Sequence, residues 1–234
     1  MQKIAAVYQQ IEQRFARCVR SKQVATDAYL EPNSCKVDAR RGLTLLCRLD
    51  TDIATAILQT IETLKPFLGE QYVQAANDLH TTVYSVIPTA ADYPADDPVV
   101  SRCIDAVAAA VKDQSDTLQI EYRGIIASND ALIVMGYPTT TSVQRLRAAI
   151  LVQMTERDLA SRFNLRYPMV TAHATLVRFI QQPNDLSALN TALKNLREKP
   201  FGTSLITRLE LTEHDWYVRR ASLTPIAEYE LAAR

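Results

Sequence analysis

Apolar residues recur at intervals of three and four in five stretches of the chain, which is the spacing of a helix that buries one face. These predicted helices begin near residues 4, 51, 98, 143 and 186. The last apolar position on the fourth is Phe163. Pro66 is expected to end the second helix, because proline cannot continue the backbone hydrogen bonding. Asp97, followed by proline, is expected to cap the third.

Runs rich in β-branched residues predict strands between these helices. They cover residues 42–50, 79–88, 117–128, 131–137, 169–180 and 203–211, with shorter strand-like stretches at 215–221 and 227–231. Asn129 and Asp130 separate two of the runs and predict a tight turn between paired strands.

Each half of the chain has the order strand, helix, strand, helix, strand, starting near residues 43 and 132. The repeat is one of arrangement rather than of sequence, and it favours two α+β lobes related by an approximate two-fold axis. A doubly wound parallel sheet is the alternative. No glycine-rich turn follows a strand, and the chain has only 5 glycines, so the two-lobed interpretation is preferred and no dinucleotide cofactor is expected.

Composition narrows the function classes. The 234 residues include 26 Lys and Arg against 26 Asp and Glu, so a protein that grips long nucleic acid through its phosphates is disfavoured. The only basic doublets, at 40–41 and 219–220, are interpreted as solvated surface. No apolar run approaches the roughly 18 residues of a membrane span. The four cysteines are widely separated, which predicts reduced thiols in a soluble, cytoplasmic protein.

Two of the three histidines occur in the same short motif. The chain has His80-Thr81-Thr82-Val83 and, 93 residues later, His173-Ala174-Thr175-Leu176, each within a predicted strand. Side chains two residues apart on a strand share a face, so each imidazole is expected beside a threonine hydroxyl. Across a cleft, one imidazole can accept a proton while the other donates one, and the hydroxyls can hold phosphate oxygens.

These paired motifs, their separation and the order of elements resemble the 2H phosphoesterase superfamily. The resemblance extends from about residue 42 to 231 and leaves residues 1–41 as an added N-terminal helix and connecting segment before a two-lobed domain of residues 42–234. It implies an α+β bilobal fold, with two pseudo-symmetric lobes of mainly antiparallel sheet, helices on the outside and an active cleft between the sheets. By motif position, His80 and His173 would be the acid/base pair and Thr82 and Thr175 the phosphate-holding residues.

The implied reaction is metal-independent hydrolysis of a cyclic phosphodiester, either a 2′,3′-cyclic nucleotide or an RNA end, or of a 2′-5′ phosphodiester bond. The expected partner is therefore a small nucleotide or RNA-terminal phosphodiester, bound by a monomer without cofactor or metal. No carboxylate or thiol lies at ligand spacing from the two histidines, which disfavours a zinc site. The alternative is a non-catalytic module that binds a nucleotide or phosphate ligand in the same cleft.

Two further residues are predicted to bind substrate. Tyr84 has the same parity as His80 and Thr82, so a regular strand would place it on their face. Arg178 completes the pattern His-x-Thr-Leu-x-Arg, but it lies five residues after His173 and reaches the cleft only if the strand bulges. The family often has phenylalanine where this chain has Ser85. His214 lacks a threonine partner and is not predicted to be catalytic, and Trp216 is either a stacking platform or part of the core.

Overall fold

The computed structural model describes residues 2–31, 34–112, 114, 116–162 and 169–231. Within these ranges it contains five α-helices and nine strands, with two short 3-10 turns. The helices are α1 (Gln2–Ser21), α2 (Thr51–Leu68), α3 (Pro98–Lys112), α4 (Ser142–Glu156) and α5 (Leu186–Asn195). The strands are β1 (Arg41–Arg48), β2 (Tyr72–Val73), β3 (His80–Ala90), β4 (Leu118–Ala127), β5 (Ala131–Pro138), β6 (Ala174–Arg178), β7 (Pro200–Ile206), β8 (Arg208–Asp215) and β9 (Thr224–Glu230).

The strands form two antiparallel sheets, as expected for a bilobal α+β fold. The first sheet has the order β3-β1-β8-β9 and the second the order β2-β6-β5-β4-β7. β8 and β9 come last in the chain, and β8 pairs with β1, so the first sheet joins early and late parts of the sequence, whereas the strands of the second lie between residues 72 and 206. The predicted turn at Asn129 and Asp130 joins β4 to β5 as an antiparallel pair.

The five predicted helices form, with two differences: Pro66 does not end the second helix, and α4 ends at Glu156, before its expected last position at Phe163. Asp97 caps α3 as expected, since its carboxylate accepts the Val99 N–H at 2.8 Å. Pro66 does not end α2, which continues to Leu68. The bond that proline loses lies in the last turn, and Leu64 and Leu68 are both buried on one face, so packing carries the helix across it.

Two strand predictions were too long. The run 169–180 is a strand only from Ala174 to Arg178, because the carbonyls of Met169 and Thr171 bond to a side chain instead of a neighbouring strand. The run 203–211 is split at Thr207 between β7 and β8, which belong to different sheets. The strand expected at 215–221 forms a turn and a 3-10 helix instead. Phe163 lies outside the described residues.

Helix α1 differs from the other helices because it covers a sheet face that carries a predicted site residue. Ile4 and Tyr8 pack with Ile133, Met135 and neighbouring side chains in a small apolar cluster on the second sheet. Ile133 is directly opposite Thr175 in the ladder between β5 and β6, so both lie on the same face. Helices α2 to α5 contribute to the main core, to which α1 adds Phe15. None of the described helices is long and apolar enough to cross a membrane.

Candidate active site

The two motifs meet where β3 passes the segment that leads into β6. The Thr81 hydroxyl donates to the Ala172 carbonyl at 3.3 Å, which links the residue after His80 to the residue before His173. The same hydroxyl lies 2.7 Å from the buried Tyr122 hydroxyl of β4. This buried hydrogen-bonded link fixes the backbones beneath both motifs, although 91 residues separate Thr81 from Ala172.

Arg147 of α4 ties the same two backbones together. Its Nε donates to the Val83 carbonyl at 2.8 Å, and Nη2 donates to the Thr82 carbonyl at 3.2 Å. Nη1 and Nη2 also donate to the carbonyls of Met169 and Thr171, both at 2.8 Å. Burial lowers the pKa of Arg147 to about 10, so the guanidinium stays charged at neutral pH. This buried cation therefore holds both motif segments. None of the ion pairs between described residues joins it to a carboxylate.

A bulge in β3 changes which residues share the face of His80. The ladder pairs Leu46 with Thr82 but Leu45 with Tyr84, so Val83 is an extra residue. His80 and Thr82 remain on one face, as predicted. Tyr84 turns to the opposite face and is 5 % exposed within the main core, where burial raises its pKa. The parity argument that placed Tyr84 in the substrate site is therefore wrong, because it assumed a regular strand.

A second bulge, in β6, has the opposite effect, because it brings Arg178 onto the face of Thr175. Ile133 pairs with Thr175, but Leu132 pairs with Val177, which again leaves one extra residue between them. Ala131 then pairs with Arg178, which places Arg178 on the same face as Thr175. The bulge that the sequence argument required is present. The Arg178 guanidinium is one of the positive charges that lower the pKa of His173.

His80 is half-buried with its ring fixed. Its Nδ1 donates to the Asp78 carbonyl at 2.7 Å, so in the neutral ring Nε2 carries the lone pair. Burial lowers the pKa of His80 to about 3, although the Asp78 carbonyl acts in the opposite direction. The positive charges of Arg48 and of the protonated rings of His214 and His173 lower it further.

His173 has a different partner. Its Nδ1 lies 2.9 Å from the Thr171 hydroxyl, which can either donate to the ring or accept from it. Burial lowers the pKa of His173 to about 4, and the positive charges of Arg147 and Arg178 contribute. Both site rings are therefore neutral at neutral pH in the free protein.

The two threonines present unused hydroxyls. Neither the Thr82 nor the Thr175 hydroxyl bonds to another residue in the described part of the chain, whereas the buried Thr81 hydroxyl does. Thr82 and His173 line one cavity of about 560 Å³. An imidazole from one motif and a hydroxyl from the other thus face the same space.

Arg178 lies at a second, smaller cavity of about 290 Å³. Its guanidinium stands 5.6 Å from the Trp216 ring and 3.5 Å from the Asp130 carboxylate. The Arg40 guanidinium stacks on two aromatic rings at this cavity, 4.3 Å from that of Trp216 and 4.5 Å from that of Tyr29. Arg40 is also paired with Asp38, so the interpretation of the doublet at 40–41 as solvated surface is wrong for Arg40. Trp216 is half-buried between two guanidinium groups.

His214, which the sequence argument set aside, has both ring nitrogens occupied. Nδ1 donates to the Asp215 carbonyl at 2.6 Å, and Nε2 lies 2.7 Å from the Thr44 hydroxyl. Burial lowers the pKa of His214, which keeps the ring neutral. With no ring nitrogen left for a ligand, His214 has a structural role.

Metal binding is not suggested by the side-chain clusters. Among the described residues, no three histidine, cysteine, aspartate or glutamate side chains are grouped so that they could hold a metal ion.

The lowered pKa values of His80 and His173 predict how stability depends on pH. Both groups have an unfolded pKa near 6.5, so between pH 6.5 and about 4 the unfolded chain binds more protons than the folded protein. Their contribution to stability is therefore fully present above pH 6.5 and is lost as the pH falls. We expect the melting temperature to drop between pH 7 and pH 4.5, and to drop less in the His80→Gln/His173→Gln variant. Parallel curves for the two proteins would contradict this assignment.

Solved structures match the fold, although no family model and no curated protein matches the sequence. A phosphoesterase crystal structure has 14% identity and a TM-score of 0.53, with 82% of this chain and 99% of that chain covered. TT0787 of Thermus thermophilus has 14% identity, a TM-score of 0.55 and coverage of 83% and 98%. E. coli LigT complexed with 3′-AMP has 13% identity, a TM-score of 0.57 and coverage of 82% and 99%. These neighbours share the two-sheet fold and agree with the resemblance drawn from the paired motifs.

Proposed function

We propose that this protein is a metal-independent phosphodiesterase that hydrolyses a cyclic phosphodiester, a 2′,3′-cyclic nucleotide or RNA end, or a 2′-5′ phosphodiester bond. The observation that carries the proposal is the meeting of the two His-x-Thr motifs, with the hydroxyls of Thr82 and Thr175 unbonded within the described residues. Phosphoesterase and LigT neighbours with the same fold support it. One of these is complexed with 3′-AMP, a nucleotide of the size that the cavity admits.

His80 is the general base in this proposal. Its Nδ1–H is engaged by the Asp78 carbonyl, so the Nε2 lone pair is available to take a proton from the attacking water. Its low pKa keeps this lone pair free at neutral pH. As the proton moves to His80 Nε2, the water oxygen forms its bond to phosphorus.

His173 is the general acid. Once protonated, its Nδ1–H donates to the Thr171 hydroxyl, and its Nε2–H protonates the leaving oxygen as the P–O bond breaks. An anionic phosphate bound beside the ring raises the pKa of His173 in the complex and favours this state. The product is a phosphomonoester. His80 ends protonated and His173 neutral, and proton exchange with solvent restores both.

The threonines hold the phosphate. Their hydroxyls donate to the non-bridging oxygens, on which negative charge accumulates as the water attacks. The buried Arg147 cation adds a fixed positive potential beside His173, as its effect on the pKa of that residue indicates. Neither contribution requires a metal.

The test is a substrate panel assayed in excess EDTA. It contains 2′,3′-cyclic nucleotides, 1″,2″-cyclic phosphates and 2′-5′-linked dinucleotides, with products separated by chromatography. We expect the wild type to hydrolyse at least one class and the His80→Gln/His173→Gln variant to hydrolyse none. Turnover that persists in that variant, or disappears from the wild type in EDTA, contradicts the proposal. Nucleotide binding without turnover would favour the non-catalytic module.

A further inference from the structure

Helix α1 is fixed onto the site rather than loosely attached to the domain. The buried Tyr8 hydroxyl donates to the Gly136 carbonyl at 2.9 Å and accepts the Gly136 N–H at 3.0 Å. The Glu12 carboxylate forms an ion pair with Arg197 at 2.7 Å. These contacts hold α1 against β5 and against the end of α5, beside the sheet face of Thr175.

One face of α1 forms a wall of the cavity that Thr82 and His173 line. Val7, Gln10, Ile11 and Arg14 follow the spacing of a single helical face and line the 560 Å³ cavity together with Thr82 and His173. Met169, Val170 and Thr171 line the same cavity. The solved structures match this chain over nearly all of their own length but leave about a sixth of this chain unmatched. That sixth is about the length of the segment before β1. Residues 1–41, which include this helix wall, are the segment that the resemblance drawn from the paired motifs places outside the two-lobed domain.

Among the described residues that line this cavity, Arg14 is the only arginine or lysine. No ion pair or hydrogen bond joins it to any residue in the described ranges. Two other arginines that the structure describes near the site, Arg147 and Arg178, are already engaged. Arg147 has four of its five N–H donors bonded to carbonyls, and Arg178 lies against Trp216 and Asp130. Among the described residues that line the cavity, Arg14 is therefore the arginine left without a protein partner and able to pair with a phosphodiester anion at Thr82 and His173.

We propose that Arg14 binds the substrate phosphate from α1, with the nucleoside lying along the apolar wall of Val7, Ile11, Met169 and Val170. The inference rests on the proposed function for the identity of the substrate. A guanidinium suits this position because it donates to two phosphate oxygens at once. The apolar side chains suit a nucleobase, which has two flat faces to bury.

Binding of 3′-AMP, measured by isothermal titration calorimetry, tests the inference without requiring turnover. Arg14→Gln is expected to weaken binding about tenfold, in line with the loss of one charge-assisted hydrogen bond at an open site. Arg17→Gln is the matched control, because this substitution removes the same charge from the same helix. Arg17 is exposed and is not among the residues that line the cavity. We expect less than a twofold change for Arg17→Gln and partial retention of affinity for Arg14→Lys.

The outcomes separate this inference from the proposed function. If the wild type binds 3′-AMP without hydrolysing any diester, and Arg14→Gln weakens that binding, then the Arg14 site stands and the enzyme proposal falls. For an active wild type, the KM for the preferred diester should rise about tenfold in Arg14→Gln while kcat changes less. Equal behaviour of Arg14→Gln and Arg17→Gln overturns the inference. Failure of the wild type to bind 3′-AMP overturns it as well.

Discussion

Alanine at either His80 or His173 is expected to lower kcat on the preferred phosphodiester by about a thousandfold, the typical contribution of a positioned general acid or base. The affinity for 3′-AMP should change by much less, because the threonine hydroxyls and the cations that hold the phosphate remain. Each ring has one nitrogen fixed by a neighbour, Asp78 for His80 and Thr171 for His173, so alanine removes the proton-transfer group without removing a structural bridge.

The two substitutions should differ in their dependence on the leaving group. A nitrophenyl ester expels a stable phenolate that needs no proton, so His173→Ala should recover much of its lost rate on that substrate. His80→Ala should not recover, because activation of the attacking water is still required. The assignment rests on the Asp78 carbonyl, which fixes the His80 lone pair on Nε2, and on the Thr171 hydroxyl, which can accept the Nδ1–H of a protonated His173.

His214→Gln is the matched control for these measurements. Since both of its ring nitrogens bond within the protein, its substitution should lower the melting temperature and leave kcat per folded molecule within about threefold. Recovery by His80→Ala instead of His173→Ala would reverse the two roles. If the two alanine variants lose kcat equally on both kinds of ester, the assignment of one histidine as acid and the other as base is contradicted.

The sequence predicted the fold and the two motifs because both depend on short-range patterns. Helices and strands follow apolar periodicity, and His80, Thr82, His173 and Thr175 stand out because a rare residue type recurs in the same motif. The neighbours of the motifs were harder to predict. Side-chain parity holds only while a strand is regular, and each motif strand contains a bulge after its threonine.

The bulges have opposite consequences for the two residues chosen by parity. Tyr84 was expected on the site face and lies in the core, while Arg178 was expected on the far face unless a bulge intervened, and one does. Ser85, paired with Thr44, takes the place that Arg178 has in the second motif, five residues after the histidine. A bulge depends on pairing with a distant strand, so a local window of sequence does not reveal it.

Arg147 and Arg14 were missed for a different reason. Arg147 stands four residues after Val143 and three before Ile150, in the buried stripe of α4, so an arginine on an apolar face was the available signal. Its partners are backbone carbonyls, which leave no trace in sequence. Arg14 looks like any exposed helical arginine, and its position becomes informative only when α1 is seen to pack beside His173.

Replacing Arg147 with methionine is expected to lower the free energy of unfolding by about 3–5 kcal/mol, because several buried carbonyls lose their hydrogen-bond donor together. Methionine fills much of the volume but leaves the carbonyls of Val83, Met169 and Thr171 without a donor in the interior. Unsatisfied buried carbonyls cost about 1–3 kcal/mol each before relaxation. Arg145→Met is the matched control on the same helix, because the Arg145 ion pair with Asp116 is exposed and should contribute less than about 1 kcal/mol.

The same substitution should change catalysis in molecules that remain folded. Arg147 joins β3 to the segment before His173, and its charge lowers the pKa of that histidine, so its loss should both misplace the two motifs and raise the pKa of His173. We expect kcat to fall and the pH profile of kcat/KM to shift upward, which a purely structural role would not produce. Arg147→Lys keeps the charge with fewer donors, so it should retain the wild-type pH profile while losing stability. It also provides the test if Arg147→Met does not fold. Urea unfolding and pH–rate profiles of the three variants measure these effects. An Arg147→Met protein as stable as Arg145→Met, or an unshifted profile in folded Arg147→Met, would show that the guanidinium neither holds the motifs together nor acts on His173.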